Sequence, residues 1–110
     1  MTTQPMDVPK KMGRYCLVLV TKGKNWQQEW ADLQRRHLAF NRRMAEAGTF
    51  LLFGPLLEDI DLRAAAIVNT ASPAEAASVI EGDPAVAEGH FAYEVHPIFW
   101  PSLDSVVVEY

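Results

Sequence analysis

The chain has 110 residues, which is enough for one hydrophobic core and too few for two domains of ordinary size. Apolar residues make up 49% of it and charged residues 22%, a balance typical of a soluble globular protein rather than a disordered one. No apolar stretch approaches the ~20 residues that a membrane-spanning helix needs, so we expect no membrane association.

The first residues of the chain and its cysteine content bear on the cellular compartment of the protein. Residues 1–13 are polar and lack the apolar run of a signal peptide, so we interpret them as a flexible arm. Cys16 is the only cysteine, which excludes an internal disulfide and a cysteine-based zinc site. Within an apolar run it is expected to behave as a small buried hydrophobic residue. These features predict a location in the cytoplasm.

The net charge of −4 hides an uneven distribution of charge along the chain. Nine of the ten Lys and Arg residues lie between Lys10 and Arg43, while eleven of the fourteen acids lie after Met44. The basic residues are scattered among apolar ones in runs no longer than two, unlike a nucleic-acid-binding segment. We expect the basic first part of the chain and the acidic second part to fold together, so that their charges partly neutralise each other. We therefore predict no nucleic acid partner. The alternative is that some arginines favour an anionic ligand.

Hydrophobic periodicity and turn residues predict four strands and two main helices. In chain order these are a strand over 14–21, a helix over 26–47, strands over 49–53 and 62–69, a helix over 73–81, a short helical turn up to 88, and a strand over 90–99. A fifth short strand over 104–110 is a further candidate. The second strand is expected to end or bulge at Gly54 and Pro55, because proline cannot donate a hydrogen bond within a central ladder.

Capping residues set the predicted boundaries of the two main helices. Asn25, followed three residues later by Gln28, has the form of a capping box for the first helix, and Gly48 supplies its stop. Ser72 and Glu75 form a second capping box at the start of the second helix.

The order of elements is βαββαβ, followed by a tail. Right-handed crossovers place both helices on one face of a four-stranded antiparallel sheet. The predicted fold is therefore α+β and ferredoxin-like, with one domain over residues 14–100 and a C-terminal tail over 101–110.

The first two strands are apolar at odd and even positions alike, over residues 15–20 and 50–53. A strand that is apolar on both sides must be covered on both sides. Because two helices cover only one face, we predict a homodimer in which the sheets of two copies pack face to face. The alternative is that the tail folds back over this face, but one short strand covers little area.

His37 is the residue that the helix pattern singles out for function. It lies in the apolar stripe of the first helix, between Leu33 and Phe40. A buried imidazole needs a hydrogen-bond partner, and Asp83 is the acid that we pair with it. Two interpretations stay open. Either His37 is a satisfied structural histidine and Asp83 a helix cap, or the carboxylate holds the tautomer of an acid–base histidine.

Other polar residues offer weaker candidates. Arg36, next to His37, either lies over apolar neighbours with its charge in water or forms a cationic rim for a carboxylate substrate. His90 and His96 share the strand face of Glu94 if the strand alternates regularly. No pair of ligands has the spacing of a known metal motif, so we predict no metal and no other cofactor.

Several short motifs occur in the order and spacing of a known family. They are Arg36-His37-Leu38, Ala47-Gly48, Phe53-Gly54-Pro55-Leu56, Ser72-Pro73-Ala74-Glu75-Ala76, Gly82-Asp83-Pro84 and Tyr93-Glu94-Val95-His96-Pro97. On these motifs the chain resembles the YCII-related family over about residues 14–100. The resemblance implies a ferredoxin-like fold assembled as a dimeric α+β barrel, with a dyad in a cleft at the positions of His37 and Asp83. It implies no single reaction, since some relatives are muconolactone dehalogenases and many have no known activity.

The resulting functional hypothesis is a cofactor-independent enzyme that moves a proton on a small, anionic organic acid during elimination, dehalogenation or isomerisation. His37 and Asp83 are the predicted catalytic residues, and Arg36, Gly54 and Pro55 are predicted to bind the substrate. The alternative is a non-catalytic dimer that binds a small molecule or a partner protein. A third hypothesis is a cofactor-free monooxygenase of the related barrel type.

Overall fold

The computed structural model describes residues 9–109 of the chain. Its strands are β1 (Met12–Lys22), β2 (Phe50–Pro55), β3 (Leu62–Val68) and β4 (Phe91–Pro101). Its helices are α1 (Ala31–Glu46), α2 (Pro73–Ile80) and α3 (Pro84–Ala87). The order confirms the predicted βαββαβ pattern, with α3 as the short helical turn before the last strand.

The strands form one antiparallel sheet in the order β2-β3-β1-β4. This is the predicted ferredoxin-like α+β fold, with β1 in the middle of the sheet and β2 and β4 at its edges. An edge strand tolerates proline because one side of its backbone needs no ladder partner. Strand β2 therefore extends through Gly54 and ends at Pro55, which confirms the prediction that it ends at this pair. Its irregularity lies between Phe50 and Leu52.

Helices α1 and α2 pack on the same face of the sheet and bury the core there. Phe40 of α1 and Ile80 of α2 meet Cys16, Val18 and Val68 of the two central strands in one apolar cluster. Cys16 is fully buried, and burial raises the pKa of its thiol above the ordinary value. It is a packing residue, as predicted.

Helix α1 begins at Ala31, later than predicted, and Asn25 is not its cap. The Asn25 side chain donates from Nδ2 to the Glu88 carbonyl oxygen at 3.0 Å, and its backbone N–H donates to the Gly89 carbonyl oxygen at 2.8 Å. These bonds hold residues 23–30, which we call the Trp loop, against the segment that precedes β4. The capping-box prediction fails here because the polar side chain is used for a tertiary contact, and Trp30 takes the N-cap position without a side-chain bond.

Two glycines allow the Trp loop to approach this segment closely. A Cβ at Gly23 would lie 2.2 Å from the Gly89 carbonyl oxygen. Gly89 itself has a φ of +79°, in the left-handed region that favours glycine. The backbone N–H of Gly23 donates to the His90 carbonyl oxygen at 2.8 Å, which closes the contact.

The two later helices begin as predicted. The Ser72 hydroxyl accepts a hydrogen bond from the backbone N–H of Glu75 at 3.3 Å, so Ser72 is confirmed as the N-cap of α2. The reciprocal half of a capping box is not formed, because the backbone N–H of Ser72 donates to Thr70 Oγ1 at 3.1 Å instead of to the Glu75 side chain. The Asp83 carboxylate accepts from the backbone N–H of Ala85 at 2.9 Å and caps α3. Asp83 is thereby placed at the junction between two short helices.

The face of the sheet opposite the helices carries an apolar surface. Leu17, Leu19 and Leu52 are half-buried there, beside the buried Ile67, which pairs with Leu17 across β1 and β3. Neither α1 nor α2 covers this surface, because both contribute to the core cluster on the other side.

The tail covers only one end of this face. Residues 102–109 contain no strand, so the fifth strand predicted over 104–110 is absent from the described part of the chain, and position 110 lies outside it. The Leu103 backbone N–H donates to the Tyr15 hydroxyl at 2.8 Å and ties the tail to β1. Of the predicted N-terminal arm, residues 1–8 lie outside the described range, while Met12 and Gly13 already belong to β1. Within residues 9–109, no helix has the length and apolar character needed to cross a membrane.

Candidate functional site

A cleft of about 460 Å³ opens between α1, the Trp loop and strands β2 and β3. Its floor includes Ala64 and Ala66 of β3, whose small side chains leave space beneath the helix. Aromatic rings of the Trp loop and the strands line it from several sides: Trp26, Trp30, Phe50, Phe53 and Phe91. The volume lies within the ~300–1,000 Å³ of small-molecule sites, so the cleft suits a ligand of modest size.

Helix α1 presents one polar row to this cleft. Gln34, His37 and Asn41 lie three and four residues apart, on one face of the helix, and all three line the cleft. His37 is therefore directed towards the sheet, as the apolar stripe of this helix predicted.

The structure brings His37 and Asp83 together. His37 Nδ1 lies 2.7 Å from Asp83 Oδ2, and the side chains are 17% and 8% exposed. The other carboxylate oxygen of Asp83 accepts the N–H of Ala85 at 2.9 Å. Because an ionised carboxylate only accepts hydrogen bonds, Nδ1 carries the proton in this contact. A neutral His37 then has its lone pair on Nε2.

The Nε2 end of His37 is directed towards the cleft. Its neighbour is Asn41, whose amide Nδ2 lies 3.3 Å away and which itself lines the cleft. A bond of this length is weak, so a ligand can replace it. The ring is held by Trp30, at 5.7 Å between centroids, and by an edge-to-face contact with Phe91 at 5.4 Å. The arrangement fixes one imidazole orientation with a basic nitrogen facing the cleft.

Beside the half-buried His37 lies a second histidine, His90, which is buried and which the sequence placed wrongly. Strand β4 begins at Phe91, so strand alternation does not reach residue 90. The His90 ring is 2% exposed and stacks on Trp26 at 4.5 Å and on Trp30 at 4.1 Å.

The environment of His90 favours its neutral form. Burial lowers the pKa of His90, the nearby His37 lowers it further, and Asp83 acts in the opposite direction. His90 Nδ1 accepts the backbone N–H of Gln27 at 3.4 Å, while Nε2 is buried without a hydrogen-bond partner. His90 therefore packs against Trp26 and Trp30 of the Trp loop, in surroundings that lower its pKa.

The other predicted substrate-binding residues separate into two groups. Gly54 and Pro55, at the end of β2, line the cleft together with His37. Arg36 does not line it, and donates instead to Glu88 at 2.6 Å and to Asp32 at 3.3 Å on the outer surface of α1. The pKa of Arg36 is raised, chiefly by its hydrogen bond to Glu88. Arg36 is thus removed from the candidate ligand site, because one residue along a helix turns the side chain by about 100°.

The cation that lines the cleft is Arg63, which sequence reasoning missed. Arg63 lies at the start of β3, and its side chain is 24% exposed. It is the one Lys or Arg residue after Met44, in the acidic half of the chain, and three alanines follow it directly. An isolated arginine next to a run of small residues was the feature of the sequence that could have indicated a role for Arg63 in the cleft.

The described residues contain no cluster for a metal ion. Within 9–109, no three His, Cys, Asp or Glu side chains are grouped so that they could hold one. His96 lies on the exposed side of β4, where its Nε2 is 2.9 Å from Glu94 Oε2, and it takes no part in the cleft.

The fold and these motifs belong to a known class of proteins. The family model described as the YCII-related domain matches residues 14–99, and the chain is therefore a member of the YCII-related family. A comparison with curated proteins gives no significant match.

One similar solved structure is 5-chloro-2-hydroxyhydroquinone dehydrochlorinase from Burkholderia phenoliruptrix AC1100, in complex with 2,5-dihydroxybenzoquinone. It is 22% identical, the match covers 74% of this chain and 90% of that one, and the TM-score is 0.49. A likeness of this extent says nothing about the reaction of the present chain.

Proposed function

We propose that His37 and Asp83 form an acid–base dyad that moves a proton on a small organic acid bound in the cleft, without a cofactor. The observation that carries the proposal is the 2.7 Å contact between a buried carboxylate and the Nδ1 of a histidine whose other nitrogen faces the cleft. A carboxylate in this position orients the ring and stabilises the imidazolium that forms when Nε2 takes a proton.

The proton transfer needs no group beyond those of the cleft and the substrate. His37 Nε2 removes a proton from a carbon next to an electron-withdrawing group, and the C–H electron pair stays on the substrate. In an elimination that pair forms a new double bond while the leaving group departs with its own bonding pair. In an isomerisation the pair shifts along the substrate, and the imidazolium returns the proton to another carbon.

The surroundings of the dyad favour this use. Trp30 and Phe91 pack against the ring of His37, whose side chain is 17% exposed. Gln34 and Asn41 place amide groups on the same side of the cleft, where they can bond to the oxygens of an organic acid. We propose the cytoplasm as the location of this activity, because Cys16 is a free thiol.

A non-catalytic binding module is the second candidate, and one observation favours it. Asp83 already has a structural task, since its Oδ1 caps α3 through the N–H of Ala85. In that case His37 and Asp83 clamp α1 to α3, and the cleft holds a ligand without converting it.

Conversion and binding can be separated with a panel of small unsaturated and halogenated organic acids. Binding is followed by NMR shifts of the backbone amides, and conversion by product signals and released halide. We expect wild type to convert at least one acid, His37→Gln to bind it without conversion, and His96→Gln to match wild type as the exposed-histidine control. Binding without conversion by the wild type would leave the non-catalytic module as the function.

We also propose that the chain forms a homodimer through the open face of the sheet, as a dimeric α+β barrel. The support is the apolar surface of Leu17, Leu19 and Leu52, which the helices do not cover. Sedimentation velocity should give a dimer for wild type and a monomer for Leu19→Glu. The control Leu57→Glu changes a fully exposed loop residue and should remain dimeric. A monomeric wild type would refute this assembly.

A further inference from the structure

We propose that Arg63 is the anion-binding residue of the cleft and selects ligands that carry a carboxylate or similar oxyanion on an apolar body. The inference deepens the proposed function in that it assumes that the cleft takes a ligand, but it does not require that the ligand be converted.

The position of Arg63 is fixed by contacts on two sides. Its Nη1 donates to the Ile60 carbonyl oxygen at 2.8 Å and to Asp59 Oδ1 at 3.2 Å, both in the turn between β2 and β3. Its Cζ lies 5.0 Å from the centroid of the Trp26 ring, within the range of a cation–π contact. A guanidinium held in this way loses little further freedom when it binds an anion.

Arg63 keeps both charge and donors for a ligand. Its acidic partner among residues 9–109, Asp59, has a side chain that is 94% exposed, so water screens that ion pair strongly. The contacts above occupy Nη1, and Nη2 and Nε make no hydrogen bond among the described residues. Two N–H groups on one edge of a guanidinium match the two oxygens of a carboxylate.

The charges around the cleft support an anion rather than a cation. Among the cleft-lining residues, Arg63 is the cation and Asp83 the acid, and Asp83 is already paired with His37. The alanine floor and the aromatic rings suit an apolar body. Arg36, the arginine that the sequence favoured, is paired with Glu88 and Asp32 outside the cleft.

Benzoate and benzamide are a suitable pair of probes, because they share size and shape and differ in charge. Their binding is followed through the indole N–H signals of Trp26 and Trp30, which line the cleft, with those of Trp100 as an internal reference. We expect wild type to bind benzoate more tightly than benzamide. Arg63→Gln should weaken benzoate binding about 10- to 100-fold, the loss that follows from removing a charged hydrogen-bond partner, and leave benzamide unchanged. The affinity of Arg63→Lys for benzoate should lie between those of wild type and Arg63→Gln.

Matched variants separate this inference from the proposed function. Arg36→Gln should bind both probes like wild type, and His37→Gln should keep the preference for benzoate. Equal losses for both probes in Arg63→Gln, or a loss of the benzoate preference in Arg36→Gln alone, would overturn the role of Arg63. So would a wild type that does not respond to benzoate up to its solubility limit. A protein that binds benzoate through Arg63 but moves no proton would refute the dyad and leave this inference standing.

Discussion

Replacement of Asp83 separates its two tasks, the cap of α3 and the orientation of His37. In Asp83→Ala both hydrogen bonds disappear. The lost cap lowers the free energy of unfolding by about 1 kcal/mol. The lost charged bond to a half-buried imidazole lowers it by a further ~1.5–3 kcal/mol. We therefore expect a total loss of about 3 kcal/mol, which a domain of ordinary stability of about 5–15 kcal/mol survives.

Asp83→Asn should behave differently, because the amide resembles the carboxylate in shape. Its oxygen can still accept from the N–H of Ala85, so the cap remains. Its NH₂ group faces His37 Nδ1, which must then accept, and the neutral ring changes to the tautomer with its proton on Nε2. We expect a loss of about 1 kcal/mol in stability, since a charged bond becomes a neutral one. The basic nitrogen facing the cleft is lost as well.

Two measurements check this pair of variants. Urea unfolding gives the free energies, and ¹⁵N NMR of the imidazole shows which ring nitrogen of His37 carries the proton. Equal stabilities for Asp83→Ala and Asp83→Asn, together with an unchanged His37 tautomer, would refute the reasoning. Asp83 would then neither cap α3 nor direct the ring.

Three further predictions concern the surroundings of the dyad. Burial and His37 lower the pKa of His90 in the folded protein from its ordinary value of 6.5, although Asp83 partly offsets them. When the pH falls below 6.5, the unfolded chain therefore binds more protons at this residue than the folded protein does. The free energy of unfolding of wild type should therefore fall in this pH range, and it should fall less steeply with pH in His90→Leu. Urea unfolding at neutral and mildly acidic pH measures this, and the same pH dependence in both proteins would contradict the prediction. Ala64→Leu should fill the cleft floor and abolish benzoate binding while the thermal transition persists; undiminished binding would place the ligand elsewhere. Gly89→Ala should lower the unfolding free energy by about 1–2 kcal/mol, because φ is +79° and its Cβ would meet Asn25. Gly54→Ala, where a Cβ meets open space, should be near neutral, and equal losses would contradict the argument.

Local rules placed each residue of the His37–Asp83 contact on its own element, and the family resemblance implied that the two form a dyad. The 3.6-residue period of α1 directs His37 to the sheet, and an Asp before a proline marks the start of a short helix. The fold then brings the two residues together, because helices on the same face of the sheet pack close to each other. The same local rules correctly placed Ser72 at the start of α2.

The failures concern residues whose partners are distant in sequence. Asn25 has the pattern of a cap, yet its amide bonds to the carbonyl of Glu88, and a local motif carries no information about that segment. His90 was assigned to a strand face because β4 was expected to begin one residue early. Arg36 was expected to line the cleft and lies outside it, while Arg63, for which no role was predicted, lines it, because the cleft depends on how the alanines of β3 lie beneath α1.

Hydrogen–deuterium exchange at carbon tests the central claim most directly, since it detects proton removal even when no product accumulates. Small cyclic organic acids with a C–H next to a carbonyl are incubated with the protein in D₂O, and the C–H signal is followed by ¹H NMR. We predict exchange with wild type and with His96→Gln, a rate at least ~100-fold lower with His37→Gln, and a reduced rate with Asp83→Asn. Equal exchange in wild type and His37→Gln, or none in wild type with any acid of the panel, would contradict proton transfer by this dyad.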